Sequence, residues 1–190
     1  AIALASPSDF DWDRILENAE WFHWTGITPA LGDGLTQILE WALIVCKDKG
    51  ITVSCDLNYR KNLWSKDKAR IVMTKLMPYV NVCIANEEDA GDVFGIKAED
   101  TNISQGKLSR EGYKSVAIQL MEKFGFDKVA ITLRGSISAS DNNWAGMLYD
   151  GKEFYLSRNY LIRLVDRVGG GDSFGAGLIY SLINNYDMQK

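Results

Sequence analysis

The sequence predicts an α/β protein built on a largely parallel sheet flanked by helices. Two patterns carry that expectation: short β-branched apolar runs alternate with longer amphipathic segments, and polar residues able to do chemistry fall just after those runs. In sheets of this kind ligands sit at the carboxyl ends of the strands. A third observation is the run from Asp166 to Gly177, in which Gly169-Gly170-Gly171-Asp172 leads onto an apolar helix.

Taken in order, Ala1 to Ala5 has the character of a strand entered in mid-course. Trp12, Ile15, Leu16 and Ala19 recur at helical spacing, and Trp21 to Ile27 then predicts a buried strand. Asp33 predicts a cap for a helix over Gly34 to Lys49, with Gly50 ending it. Ile51 to Cys55 is a β-branched run that ends at Asp56. Ser65 caps a helix to about Met77, and Val80 to Ala85 predicts another buried strand. Asn86-Glu-Glu-Asp89 then opens a helix with acids that suit its dipole. Charged and small residues from Gly95 to Ser109 predict a loop, and a helix follows from Glu111 to Phe124. Lys128 to Leu133 is a strand; Trp144 to Tyr149 and Glu153 to Leu156 form a hairpin about Asp150-Gly151; the terminal helix follows Asp172. No repeat or Pro-rich linker divides the chain, so residues 1–190 are expected to be one domain.

Bulk properties narrow the partners. A 190-residue chain that is 46% hydrophobic can bury a substantial core. Its net charge of −4 and pI of 5.1, without a Lys/Arg cluster, give no footprint for nucleic acid or an acidic membrane, and no apolar stretch is long enough to span a bilayer. Small-molecule partners are expected. Cys46, Cys55 and Cys83 are odd in number, widely spaced and set in apolar segments, which fits reduced core thiols of a cytoplasmic protein.

The chemistry-bearing residues cluster at expected strand ends. The glycine turn offers backbone N–H groups and a helix N-terminus to an anion. Asp172 would repel a bound phosphate, so it fits better as the acceptor of a proton from an attacking hydroxyl; the plainer reading is a helix cap. Asn58 and Arg60 follow the strand ending at Asp56, where a guanidinium can hold a carboxylate or phosphate. Asn86 and Asp89 place oxygens on one helical face, as Mg²⁺ held through its waters requires, or as an ordinary capped helix would show. Thr132 is the penultimate residue of a strand, and Arg134 with Gly135 follows it, able to reach a phosphate or to make a plain turn. His23, the only histidine, reads as a core or pocket-wall residue and gives little support to a Ser-His-Asp site. Gly146 to Glu153 imitates a P-loop but lies in a hairpin pattern and lacks the metal-binding hydroxyl. Six tryptophans need be no more than core or pocket packing.

Together these residues resemble the ribokinase-like (PfkB-type) carbohydrate kinases. Asp166 to Asp172 resembles the family's anion hole and catalytic aspartate, Asn86 to Asp89 its metal-associated Asn-x-x-Glu motif, and Asp56-Leu-Asn-Tyr-Arg60 its strand-end Asp-x-Asn-x-Arg. Phe22 to Leu31, with the Asp56 and Asn86 motifs, is most similar to the 2-keto-3-deoxygluconate kinases. The resemblance implies ATP and Mg²⁺, with a sugar or sugar acid as acceptor. Asp172 would be the base and the amides of Gly169, Gly170 and Gly171 the anion hole. Arg60 would hold the sugar acid or the phosphate in flight. Asn58, Asn86, Thr132, Arg134 and Gly135 would lie along the nucleotide, and Asp166 would support the turn or a monovalent cation. The alternatives are a kinase for fructose, ribose or a nucleoside, and a nucleotide-binding protein without chemistry. Gly170 stands where the family usually has Ala, Asp89 where it has Glu, and Arg167 where it has Thr. The early sugar-binding motif, the lid and the segment over the adenine are not in this chain, and homo-oligomers of the family form through such parts.

Overall fold

In a computed structural model, which describes residues 2–97, 110–138, 141–163, 165–166 and 168–189, seven strands form one sheet. Trp21–Thr25 (β1), Thr52–Asp56 (β2), Val82–Ala85 (β3) and Lys128–Ser136 (β4) run parallel in that spatial order. Asp141–Tyr149 (β5) pairs antiparallel with β4; Phe154–Leu156 (β6) and Tyr160–Arg163 (β7) pair antiparallel with different halves of β5. The helices are Trp12–Ile15 (α1), Ile27–Ala30 (α2), Asp33–Lys49 (α3), Lys66–Leu76 (α4), Glu87–Phe94 (α5), Arg110–Phe124 (α6) and Gly170–Ile183 (α7).

Period-two alternation sorts the strand residues to two faces. Val53, Cys55, Cys83, Ala85, Val129 and Ile131 join the main core, which α3, α4, α5 and α6 close with Leu43, Met73, Val93 and Leu120. Ile84, Ala130 and Leu148 point the other way, under Phe174 and Leu178 of α7. A Cβ at Gly146 would come within 2.7 Å of the Phe174 ring, so the glycine of the P-loop imitation lets α7 lie close to β5. The three cysteines are free and buried. Among the described residues no helix is long and apolar enough to cross a membrane.

Several elements form for the local reasons foreseen. Ser65 caps α4 by accepting the Lys68 N–H at 3.2 Å, Asn86 caps α5 by accepting the Asp89 N–H at 2.7 Å, and Gly50 ends α3 at φ 68°. Others differ. Ile2–Leu4 is a 3₁₀ turn and, among the described residues, lies outside the sheet. The helical spacing after Asp11 yields only one turn, which Asp11 itself caps through the Arg14 N–H. Gly32 caps α3, and Asp33 is its first helical residue. β1 stops at Thr25 because Gly26 turns into α2, and it is buried only in part: His23 is exposed. β4 runs on to Ser136, so Arg134 and Gly135 are strand residues paired to Trp144 and Asn143. Trp41 is 46% exposed on α3. The loop expected to Ser109 lies outside the described residues beyond Lys97, as does Arg167.

Candidate active site

The carboxyl ends of β2, β3 and β4 meet the N-terminus of α7 around a cavity of about 560 Å³. Asp56, Asn58 and Arg60 enter it from the β2 end, and Asn86, Glu88 and Asp89 from the β3 end. Thr132 and Arg134 line it from β4, and Asp166 with Gly169, Gly170 and Gly171 from the turn into α7. Gly135 faces a neighbouring cavity instead, because strand alternation turns it to the opposite side of the sheet from Arg134. Asp172 is not on this cavity's wall, although Gly171 and Ser173 on either side of it are.

The turn is held from both ends. Asp166 Oδ1 accepts the Val168 N–H at 2.9 Å, which supports the turn. Gly169 then takes φ 79°, a conformation that favours glycine, and serves as the N-cap of α7. Its carbonyl accepts the Ser173 N–H at 2.9 Å and the Ser173 hydroxyl at 2.8 Å. Asp172 is therefore not the cap. It is exposed in the first turn, and among the described residues no hydrogen bond occupies its carboxylate. A Cβ at Gly171 would lie 3.7 Å from Asp56 Oδ2, and one at Gly170 would lie 3.6 Å from the Trp144 ring. The glycine turn thus sits between a carboxylate and an indole.

Opposite the turn, Asp56 and Asp89 carry most of the electrostatic strain. Burial raises the Asp56 carboxyl to about 6, against the Asn58 N–H that it accepts and the Arg60 charge, with the Asp172 charge adding to the rise. Burial and then the Asp56 charge raise Asp89 to about 7, opposed by Arg60 and by the Tyr59 N–H. Asn86 Nδ2 also donates to Asp89 Oδ2 at 2.9 Å. Two half-compensated carboxylates beside one arginine fit a site completed by a cation. Among the described residues no three carboxylate, histidine or cysteine side chains converge to hold a metal alone, so a cation here would need water or phosphate oxygens as well.

Asn58 adopts φ 40°, outside the usual range for a residue with a side chain, and Nδ2 donates to Thr25 Oγ1 at 3.0 Å. That bond ties the Arg60 loop to β1. Trp144, Val168 and Glu88 are cavity residues the sequence did not single out; Trp144 had only strand alternation to mark it, and its contact with the turn is purely tertiary. His23 lies off the cavity, with Nδ1 2.8 Å from Ser54 Oγ.

A parallel α/β sheet with an acidic cavity against a glycine-capped helix suits an anion held together with a cation. The chain belongs to the pfkB family of carbohydrate kinases, whose model it matches over residues 2–190. It is similar to a 2-dehydro-3-deoxygluconokinase of Thermotoga maritima, at 49% identity and a TM-score of 0.92 over all of this chain and 55% of that one. It is 31% identical to a 2-dehydro-3-deoxygalactonokinase of Haloferax volcanii, over 96% of this chain and 51% of the relative. A fructokinase of Vibrio cholerae, solved with fructose, ADP and calcium ion, shares the fold at 21% identity and a TM-score of 0.63, over 86% of this chain and 46% of that one. The chain thus spans about half the length of the relatives it matches.

Proposed function

We propose that this chain carries the phosphate-handling half of an ATP- and Mg²⁺-dependent kinase that phosphorylates the primary hydroxyl of 2-keto-3-deoxygluconate to give the 6-phosphate. The observation that carries the reading is Asp172: a carboxylate beside three glycines at a helix N-terminus, unused as a cap and free to take a proton. The likeness to the Thermotoga maritima enzyme supports the acceptor.

The bound nucleotide would supply the transferable phosphoryl group, with Mg²⁺ to neutralise its oxygens. The chain's own groups do the rest. The N–H groups of Gly169 to Gly171 face the charge that develops in transfer. Asp172 orients the acceptor hydroxyl and takes its proton. Arg60 holds the sugar-acid carboxylate or the phosphate in flight, while Asn58, Thr132 and Arg134 lie along the nucleotide phosphates. Asn86 and Asp89 hold the waters of the metal, and Asp166 holds the turn; a monovalent cation beside Asp166 is a further part of the reading. Buried free thiols support a reducing, cytoplasmic setting.

The test is ADP release by the protein at its complete natural length, with 2-keto-3-deoxygluconate, its galactonate epimer, fructose, ribose or no sugar. Release with the gluconate acid supports the reading; release with fructose or ribose alone keeps the family and discards the acceptor. Asp172→Asn should lower kcat by about 10³-fold or more with an unchanged melting temperature. Turnover within tenfold of wild type removes Asp172 from the base role.

A further inference from the structure

His23 is turned away from the core that its neighbours on β1 join. Phe22 and Trp24 pack on the main core, so period-two alternation turns Trp21, His23 and Thr25 to the opposite face. The parallel register sets His23 beside Ser54 and Thr25 beside Asp56 of β2. Asp56 reaches the start of α7, where a Cβ at Gly171 would lie 3.7 Å from its Oδ2. His23 therefore shares the face of the sheet that α7 covers.

The helix turns Asp172 toward that strand. Cβ atoms at Gly171 and Gly175 would meet Asp56 and Ile84, at 3.7 and 3.5 Å, so this line of α7 looks down on β2 and β3. Phe174 leans to one side, against Gly146 of β5. Successive helical residues turn by about 100°, so Asp172 falls on the other flank, away from β5 and toward β1. The imidazole feels its charge: loss of water around part of the ring lowers the His23 pKa, and Asp172 opposes the fall.

The ring is also held in one tautomer. Ser54 is fully buried, and among the described residues its hydroxyl has two partners, Trp21 Nε1 and His23 Nδ1, each at 2.8 Å. An indole N–H can only donate, so the serine proton has one acceptor left, Nδ1. The hydrogen of the neutral imidazole then sits on Nε2. His23 is exposed, and among the described residues nothing else bonds its ring, so Nε2–H is a fixed donor without a protein partner.

We propose that His23 is a specificity residue for the acceptor, its Nε2–H donating to an oxygen of the sugar acid bound between β1 and α7. The proposal rests on Asp172 being the base, because the reacting hydroxyl must then lie on that flank of the helix. Asp172 is off the wall of the cavity assigned to the nucleotide phosphates, which leaves the β1 side for the acceptor. Ser54 and Trp21 are positioning residues that aim the donor.

Calorimetric titration of the protein at its natural length with 2-keto-3-deoxygluconate, beside steady-state kinetics, tests this. His23→Asn keeps a polar group near Ser54 but withdraws the outer donor; it should raise the Kd and KM of the acid by about fivefold or more, with the KM for ATP unchanged. His23→Gln, whose amide N–H reaches the place of Nε2–H, should restore most of the lost affinity. The proposal is overturned if His23→Asn binds the acid within twofold of wild type, if His23→Gln is no better than His23→Asn, or if affinity for ATP and the melting temperature fall alongside. Wild type that does not bind the acid overturns the acceptor reading and this proposal together. Asp172→Asn that turns over like wild type overturns the base reading, and acid binding that His23→Asn still weakens keeps His23 as a donor to the sugar.

Discussion

Replacing Gly26 with alanine should damage both the fold and the site, and the size of the effect can be worked from the backbone. Gly26 has φ −58°, which any residue adopts, so conformational freedom is not what it supplies. It supplies space: a Cβ there would lie 2.0 Å from the Leu57 carbonyl oxygen and 3.1 Å from its carbon. Both neighbours are backbone, so about 1 Å of main-chain movement is needed to restore an ordinary contact. That movement strains two bonds, Gly26 N–H to Asp56 O at 2.9 Å and Leu57 N–H to Ile84 O at 3.0 Å. Overpacking of about 1–3 kcal/mol and about 1 kcal/mol for a weakened bond give roughly 2–4 kcal/mol. For a chain of this size that lowers the melting temperature by roughly 4–16 °C. Leu57 also precedes Asn58 and Arg60, so acceptor affinity should fall even where the variant is folded. Urea unfolding and thermal melting measure the first effect, with Gly50→Ala as control: it has φ 68° and nothing within 4 Å, so only backbone strain of about 1 kcal/mol is expected. A loss below 1 kcal/mol for Gly26→Ala would refute the close-approach argument.

Gly170→Ala should be tolerated, because its Cβ would meet the Trp144 ring at 3.6 Å, an ordinary contact; stability within about 0.5 kcal/mol and turnover within about threefold are expected, and a tenfold loss of kcat would mean the turn has no room. Asp89 should make the metal-free protein less stable at high pH. Its folded carboxyl is raised to about 7 from 3.8, so the stabilisation given by protonation is complete below 3.8 and lost as pH rises through 7. The stability of wild type relative to Asp89→Asn should therefore fall between about pH 4 and pH 7 and level off above, by at most roughly 1.4 kcal/mol per pH unit. Denaturant titrations in EDTA at several pH values measure this, and a flat difference would remove the strain assigned to that carboxyl.

What could be read in the sequence was what is local in the chain. Ser65 and Asn86 announce their helices because a cap is made within three residues, and Gly50 ends α3 by its own backbone. The Asp166 to Asp172 turn was legible for the same reason: Asp166 bonds only two residues ahead. Features set by distant partners were not. Ile2 and Leu4 sit in an apolar run that reads as a strand, but among the described residues they form a 3₁₀ turn outside the sheet. β7 is exposed along its length and exists because half of β5 is left open to it, a vacancy that no local pattern reveals. β4 extends past Leu133 because Asn142 and Asn143 of β5 pair with Ser136 and Gly135. The nearness of Trp144 to Gly170 joins a strand to a turn far along the chain, so no local pattern could have placed that indole beside the turn.

The unequal connections of the sheet set an order of assembly. β4, β5 and β6 follow one another through short reversals, so their pairing closes small loops at little entropic cost. Each parallel pair, β1 with β2, β2 with β3 and β3 with β4, must wait for an intervening helical crossover to be brought home. The antiparallel meander is therefore the part of this chain suited to form first, while the parallel strands that carry Asp56 and Asn86 to the cavity gain their register late. The residues that do the chemistry would then be assembled in the slowest steps of folding, when exposed strand edges are most vulnerable to pairing with another chain.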